Sequence, residues 1–328
     1  MKKLLIVLLC CFTLCGCSKM GKSDFIRKFN KKLKNADSYR LLGDLELRNK
    51  DDIYKYKVEV CFEKSSNYKV SLTNESNSST QIILKNEDGV YILTPSLNRS
   101  FKFQSDWPYK NSQIYLLEAL IRDLKNESVT MKKSDKEIVF NTPVDYPNNK
   151  DLVSQKIYFN NKGELKKVVV FDKDEIPSME LSIKGIDYSP SFSKNYFELD
   201  TIMGDQEKPE VKETLELQDT IYPLILPDNT KLSNEEKIKK SDGERILMTF
   251  EGDSPFFLVE ETANVLDEFT VIPTNGEPYR LMDTLGVMTD NSLSWVSNGI
   301  EYYLVSDVLS SDEMVKIAES IYTLPTMK

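Results

Sequence analysis

Between Tyr39 and Gln104 the chain runs in short stretches that alternate apolar and polar residues, and this period of two leaves few folds open. In the run Tyr54, Tyr56, Val58, Val60, Phe62 every second side chain is large and apolar, while Lys55, Lys57, Glu59, Cys61 and Glu63 take the opposite face. Tyr68, Val70 and Leu72 repeat the pattern against Lys69, Ser71 and Thr73, and Phe101 and Phe103 repeat it against Lys102 and Gln104. A strand with one dry face and one wet face belongs in an antiparallel sheet packed on one side only. The expectation is therefore a half-buried sheet to which the other elements attach.

At 328 residues the chain exceeds the usual size of one core, which predicts two domains. Hydrophobic content of 40%, charged content of 29% and a mean hydropathy of -0.40 describe an ordinary folded protein. The formal net charge is -9, and removing residues 1–16, which carry only Lys2 and Lys3, brings it to -11; this argues against nucleic acid as a partner. Histidine is absent altogether, which excludes Ser-His-Asp and Cys-His mechanisms and histidine metal sites. Of the five cysteines, Cys10, Cys11, Cys15 and Cys17 stand at the N-terminus and only Cys61 lies in the body, so no disulfide is expected within a domain.

The N-terminus reads as an export signal. Lys2 and Lys3 precede the apolar run Leu4 to Phe12, which is too short to span a bilayer comfortably. The tetrapeptide Leu14, Cys15, Gly16, Cys17 resembles the lipobox of bacterial lipoproteins, with Cys15 departing from the small residue usual there. That resemblance implies cleavage before Cys17, lipidation of its thiol and attachment to the outer face of the cytoplasmic membrane. Lys19, Lys22, Arg27, Lys28, Lys31, Lys32 and Lys34 follow, with Asp24 the one acid among them. These cations either add an electrostatic anchor to the lipid or simply solvate the outside of a helix. Phe25, Ile26, Phe29 and Leu33 recur at helical spacing, with Ser23 or Asp24 expected as the cap.

Further strands are predicted at 67–73, 79–85, 89–94 and 99–104, then from about 128 to 188, with turns at Asp88-Gly89 and Asn161-Lys162-Gly163. A second helix is expected within Ser112 to Leu124, where Ile114, Leu117, Ile121 and Leu124 form a stripe. The sum is about eleven strands and two helices, an unclosed sheet curled around a helical lid. An N-terminal helix, an alternating ladder, the segment Asp88-Gly89-Val90-Tyr91-Ile92-Leu93-Thr94-Pro95 followed by Asn98, and a mid-domain helix together resemble the LolA and RseB superfamily over residues 23–200. The lipid-anchored branch of low-GC Gram-positive bacteria, with YdcC-type and GerS-type lipoproteins, fits best. The resemblance implies a half-barrel without catalysis, whose concave apolar side holds an acyl chain or a peptide. Tyr54, Tyr56, Phe62, Phe101 and Phe103 are the candidate groove lining, and plain core is the other reading of the same stripe.

Residues 201–220 lose the alternation and collect acids from Asp205 to Asp219, so a linker is expected there, followed by a small α+β domain over 221–328. Short strands are predicted at Ile246 to Phe250, Phe256 to Val259, Phe269 to Ile272 and Leu293 to Val296. Asn298-Gly299 marks a hairpin, and Ser310 with Glu313 marks a capping box opening the last helix. Trp295, Asn298-Gly299, Tyr302, Leu304 and that helix resemble a C-terminal packing module of Gram-positive envelope proteins. Glu260 and Glu261 cannot act as a convergent carboxylate pair, because neighbours on a strand face opposite ways. No metal-binding, phosphate-binding or cofactor pattern is present in the sequence. The expectation is a non-enzymatic α+β envelope lipoprotein that binds a partner protein, which the GerS-type resemblance implies to be a spore-cortex amidase. The alternative is a carrier or sensor for a lipid or lipoprotein acyl chain.

Overall fold

The computed structural model describes residues 21–49, 52–64, 66–105, 107, 112–146, 149–204, 219–240 and 243–321. Cys17 and the expected export signal lie outside the described residues. The fold is α+β and consists mainly of two open, curved sheets.

The first sheet is built from β1 (Ser38–Asn49), β2 (Asp52–Glu63), β3 (Asn67–Asn74), β4 (Thr80–Asn86), β5 (Gly89–Thr94) and β6 (Arg99–Phe103), then β7 (Thr130–Lys133), β8 (Glu137–Pro143), β9 (Leu152–Asn160), β10 (Leu165–Asp172) and β11 (Pro177–Asp187). Two antiparallel meanders, β1 to β6 and β7 to β11, are joined where β1 pairs β11. That junction contains a bulge next to Gly43, where a Cβ would stand 2.8 Å from the Ser182 carbonyl oxygen; only glycine allows the two strands to approach this closely.

The concave face is dry because the alternation puts Leu41, Leu45 and Leu47 of β1 beside Val58 and Val60 of β2 and Val70 of β3. Helix α1 (Lys22–Lys34) lays Phe25, Phe29 and Leu33 onto it, and helix α2 (Leu117–Leu124) adds Leu117, Leu120, Ile121 and Leu124. Phe159 of β9 is the point of contact for α1: its ring stands 4.8 Å from Phe25 and 5.1 Å from Phe29, edge-on to both. The N-cap of α1 is Gly21, not Ser23 or Asp24, and no side chain caps it; Asp24 lies within the first turn and pairs with Arg27.

The convex face of the first sheet is not wholly wet. Cys61 is fully buried there, with Ile82, Leu84, Tyr91 and Leu93, beneath Phe192, Tyr196, Phe197 and Ile202, the last in a short helix α3 (Leu199–Gly204). The run Val90 to Leu93 is apolar at every position because β5 is covered on both faces.

The second sheet takes β12 (Thr230–Lys240), β13 (Gly243–Gly252), β14 (Phe256–Thr262), β16 (Glu277–Arg280), β17 (Leu285–Met288), β18 (Ser292–Ser297) and β19 (Ile300–Val305), with helix α4 (Ser311–Glu319) packed on one face. The β18–β19 turn places Asn298 at φ 49° and Gly299 at φ 81°, the left-handed pair that an Asn-Gly hairpin favours. Ser310 and Glu313 form the reciprocal capping box of α4. Trp295 is buried and stacks on Tyr302 at 5.0 Å. Strands β12, β16 and β17 carry no clear alternation in the sequence: β12 is an edge strand exposed along most of its length, and β17 is buried at all four positions.

The two sheets are not separate in the chain. Strand β15 (Thr270–Thr274) leaves the second half of the chain and adds to β6 in parallel, making the first sheet twelve-stranded. Pro273 on β15 lacks a backbone donor, which blunts the outer edge.

In β14, Glu261 faces out and pairs with Lys240 and Arg245, while Glu260 faces in, is fully buried and accepts from the Ile221 N–H at 3.1 Å. Burial pushes the Glu260 carboxyl up from 4.5 to about 7. Between those values the folded state binds more protons than the unfolded one, so this group costs stability as pH rises from 4.5 to 7. Glu260→Gln is expected to stabilise the protein at pH 8, by at most about 3 kcal/mol, and to change little at pH 4.5, read from urea melts at both pH values. Phe159→Ala is expected to cost about 3–5 kcal/mol in the same melts and to loosen α1, seen as faster amide exchange in residues 22–34.

Candidate functional site

The helices cover the concave face only in part, and the second half of the chain closes over the remainder. Tyr56 Oη donates to the Met282 carbonyl at 2.7 Å. The Gln81 side chain grips the Leu285 backbone twice, donating from Nε2 to its oxygen at 3.3 Å and accepting its N–H at Oε1 at 2.5 Å. Arg99 pairs with Glu301 at 2.9 Å, and Asn98 donates from Nδ2 to the Leu266 carbonyl at 2.9 Å. Leu285 and Val287 of β17 join the main core of the first sheet. A cavity of about 780 Å³ remains between the two halves.

Each wall of the cavity comes from an identifiable element. The end of β1 supplies Leu47 and Asn49, the approach to α2 supplies Tyr115, the β10–β11 turn supplies Ile176 and the start of β11 supplies Met179. From the second half come Tyr279, Arg280, Leu281 and Met282, together with Asp312, Val315, Lys316 and Glu319 of α4. Those four helix residues recur at helical spacing, which puts them on one stripe. The lining is mixed: apolar side chains such as Leu47, Leu281 and Val315 share it with nine charged residues, among them Arg48, Asp151, Glu277 and Lys316.

The polar groups are unevenly satisfied. Tyr146 Oη and Asp312 Oδ1 are buried without a hydrogen-bond partner. The Arg280 guanidinium donates to the Met179 thioether, a weak acceptor. Burial pushes the Glu319 carboxyl up to about 7, opposed in part by Arg280 and reinforced by Asp283. Burial likewise raises Asp283, against the hydrogen bond from Ser297. Tyr115 is raised to about 12, also by burial. These groups can orient a polar end of a bound molecule, but no nucleophile and base are paired among them. Among the described residues no cluster of acids and cysteine is arranged to hold a metal ion.

The five aromatics read from the strand pattern stand elsewhere, and none lines this cavity. Tyr56 and Phe103 are buried in the main core, and Tyr54, Phe62 and Phe101 are partly buried against it. Phe62 stacks on Tyr39 at 5.1 Å and packs on Tyr68 at 4.8 Å, so its ring fills space within the first sheet's own core. The sequence does not single out Arg280 or Glu319. The one available signal was Glu319 falling four residues after the buried Val315, on the same helix stripe.

In architecture the chain is a two-part α+β protein with a curved sheet, a packed second unit and a cleft between them. The chain belongs to the family of the sporulation protein YdcC: it is 36% identical to that protein of Bacillus subtilis (strain 168) over 323 residues, which cover 97% of this chain and 95% of the relative. Residues 223–321 match a domain family of unknown function, DUF4367. Among solved structures, the Pseudomonas aeruginosa MucA/MucB complex contains a chain that is 11% identical, with a TM-score of 0.31 and coverage of 90% of this chain and 98% of that one. A LolA superfamily protein from Nitrosomonas europaea is 11% identical with a TM-score of 0.31, covering 55% of this chain and 98% of that one. A chain of the complex between the CwlD amidase of Clostridioides difficile and the GerS lipoprotein is 19% identical with a TM-score of 0.28, covering 53% of this chain and 95% of that one. These structural likenesses are too loose to transfer any property.

Replacing Arg280 by Gln is expected to raise the Glu319 pKa above about 7, because the guanidinium is the one neighbour that favours the carboxylate. Carboxyl-carbon NMR titration checks this, with Glu319→Gln assigning the resonance.

Proposed function

We propose that this chain is a non-enzymatic envelope lipoprotein, tethered through lipid on Cys17 to the outer face of the cytoplasmic membrane, that binds a partner protein during sporulation or germination. Membership of the sporulation protein YdcC family supports the developmental setting. The observation that carries the binding reading is the cleft of about 780 Å³, with mixed apolar and charged walls, unsatisfied polar groups at Tyr146 and Asp312, and no paired nucleophile and base. Residues 17–22 are the membrane-proximal tether in this reading. Among the described residues no helix is long and apolar enough to cross a membrane.

The partner proposed is a spore-cortex amidase. Its support is the sequence resemblance to GerS-type lipoproteins, GerS itself having been solved in complex with the CwlD amidase. A second reading has the chain carry a lipid or a lipoprotein acyl chain; the size of the cleft and the apolar part of its lining support that reading.

Two measurements separate these readings. Cys17→Ala is expected to release the protein from the membrane fraction of the source cells under a high-salt wash, and retention of the variant through that wash would overturn the lipid anchor. Native mass spectrometry of protein gently extracted from sporulating cells is expected to show an amidase-sized companion. A lipid-sized adduct that survives Cys17→Ala, with no protein companion, would overturn the partner reading in favour of the carrier.

A further inference from the structure

Helix α1 divides its side chains by chemistry. Phe25, Phe29 and Leu33 are buried against the sheet, while Arg27, Lys28, Lys31 and Lys34 are exposed away from it, and Lys32, also exposed, stands over the Tyr188 ring at 3.8 Å. Six cations stand against the single acid Asp24 between Lys22 and Lys34, a net charge of +5 within a chain whose total is -9. An ordinary solvated face mixes both signs, and in so acidic a chain this local excess is opposite to the average. Neighbouring elements extend it. The turn bearing Lys162 lies against the helix start, since a Cβ on Gly163 would stand 3.4 Å from the Phe25 ring. Lys133 of the edge strand β7 pairs with the buried Ile138 and so lies on the face of the sheet that carries the helix. Of the acids nearby, Asp24 pairs with Arg27, and Glu164 pairs with Asn160 and Lys166.

We propose that this exposed face of α1 is a second docking surface, which lays the protein down on the anionic lipid headgroups of the membrane and fixes its orientation there. The proposal rests on the lipid-anchor reading in one respect, that Cys17 brings the helix to the surface. Four residues separate Cys17 from Lys22, so the five steps of the tether span at most about 18 Å when fully extended. That length permits contact with the bilayer, but screening over about 8 Å at physiological salt means the lipid alone does not enforce it. The charge decides which face turns inward. With α1 against the membrane, the acidic remainder of the chain is repelled from the surface.

The test uses the mature chain from residue 17 onward with Cys17→Ala, so that no lipid contributes, and vesicles of phosphatidylglycerol with phosphatidylcholine against phosphatidylcholine alone. At low salt the protein is expected to sediment with the anionic vesicles at least tenfold more tightly than with the neutral ones, and to be released by about 0.5 M salt. Each cation contributes about fivefold, so Arg27→Gln, Lys28→Gln and Lys31→Gln combined are expected to weaken binding about a hundredfold. Their side chains are exposed, and an unchanged thermal melt confirms the fold. Binding that ignores vesicle charge, no binding at all, or binding unmoved by the triple substitution overturns the proposal. The anchor reading fails by a different result, retention of Cys17→Ala in cell membranes after a high-salt wash.

Discussion

The structure follows from one requirement, that the concave face of a long, open, curved sheet be kept from water. Its strands present an unbroken apolar surface from β6 to β8, and at roughly 25 cal/mol per Å² the exposure of such a surface is the largest unfavourable term the fold faces. Helices α1 and α2 cover part of it through Phe25, Phe29, Leu117 and Leu120. The remainder is covered from the second half of the chain, where Leu285 and Val287 enter the same core. Seen this way, the second unit is a lid as much as a domain.

A lid made of a separate sheet cannot match a curved surface everywhere. Directional contacts therefore hold it at a few points: the Gln81 grip on the Leu285 backbone, Tyr56 on the Met282 carbonyl, and β15 added to the open edge of β6. The edge addition also answers a hazard, since an uncovered β6 would offer unpaired backbone groups to other chains. The mismatch left between these points is the cleft, which gathers the polar groups that the core rejects. Arg280 and Glu319 line it, and the raised Glu319 carboxyl records how little solvent reaches that side chain.

The charge of the molecule is organised on a larger scale as well. Cations gather on α1, beside the proposed anchor, whereas acids dominate the second half and the stretch leading to it. Net charge has no bearing on the fold, but its separation gives the molecule a direction at an anionic surface.

The two-residue period, the i, i+3/i+4 stripes of Phe25, Phe29, Leu33 and of Leu117, Ile121, Leu124, the Asn298-Gly299 hairpin and the Ser310–Glu313 box were legible in the sequence, because each arises from neighbours within about one turn or one strand. The absence of histidine was equally decisive for chemistry. Tertiary structure alone decided which strand faces were covered twice, as at Cys61, and which aromatics filled the core, as Phe62 does against Tyr39. It alone sent Thr270–Thr274 across to the first sheet, and it alone brought Arg280 and Glu319 to a common cleft with Met179 and Tyr146. The physical reason is range. Periodicity and capping record the interactions of a residue with its sequence neighbours, whereas a cleft between two sheets is made by residues more than a hundred positions apart, whose meeting depends on how the whole apolar surface is buried.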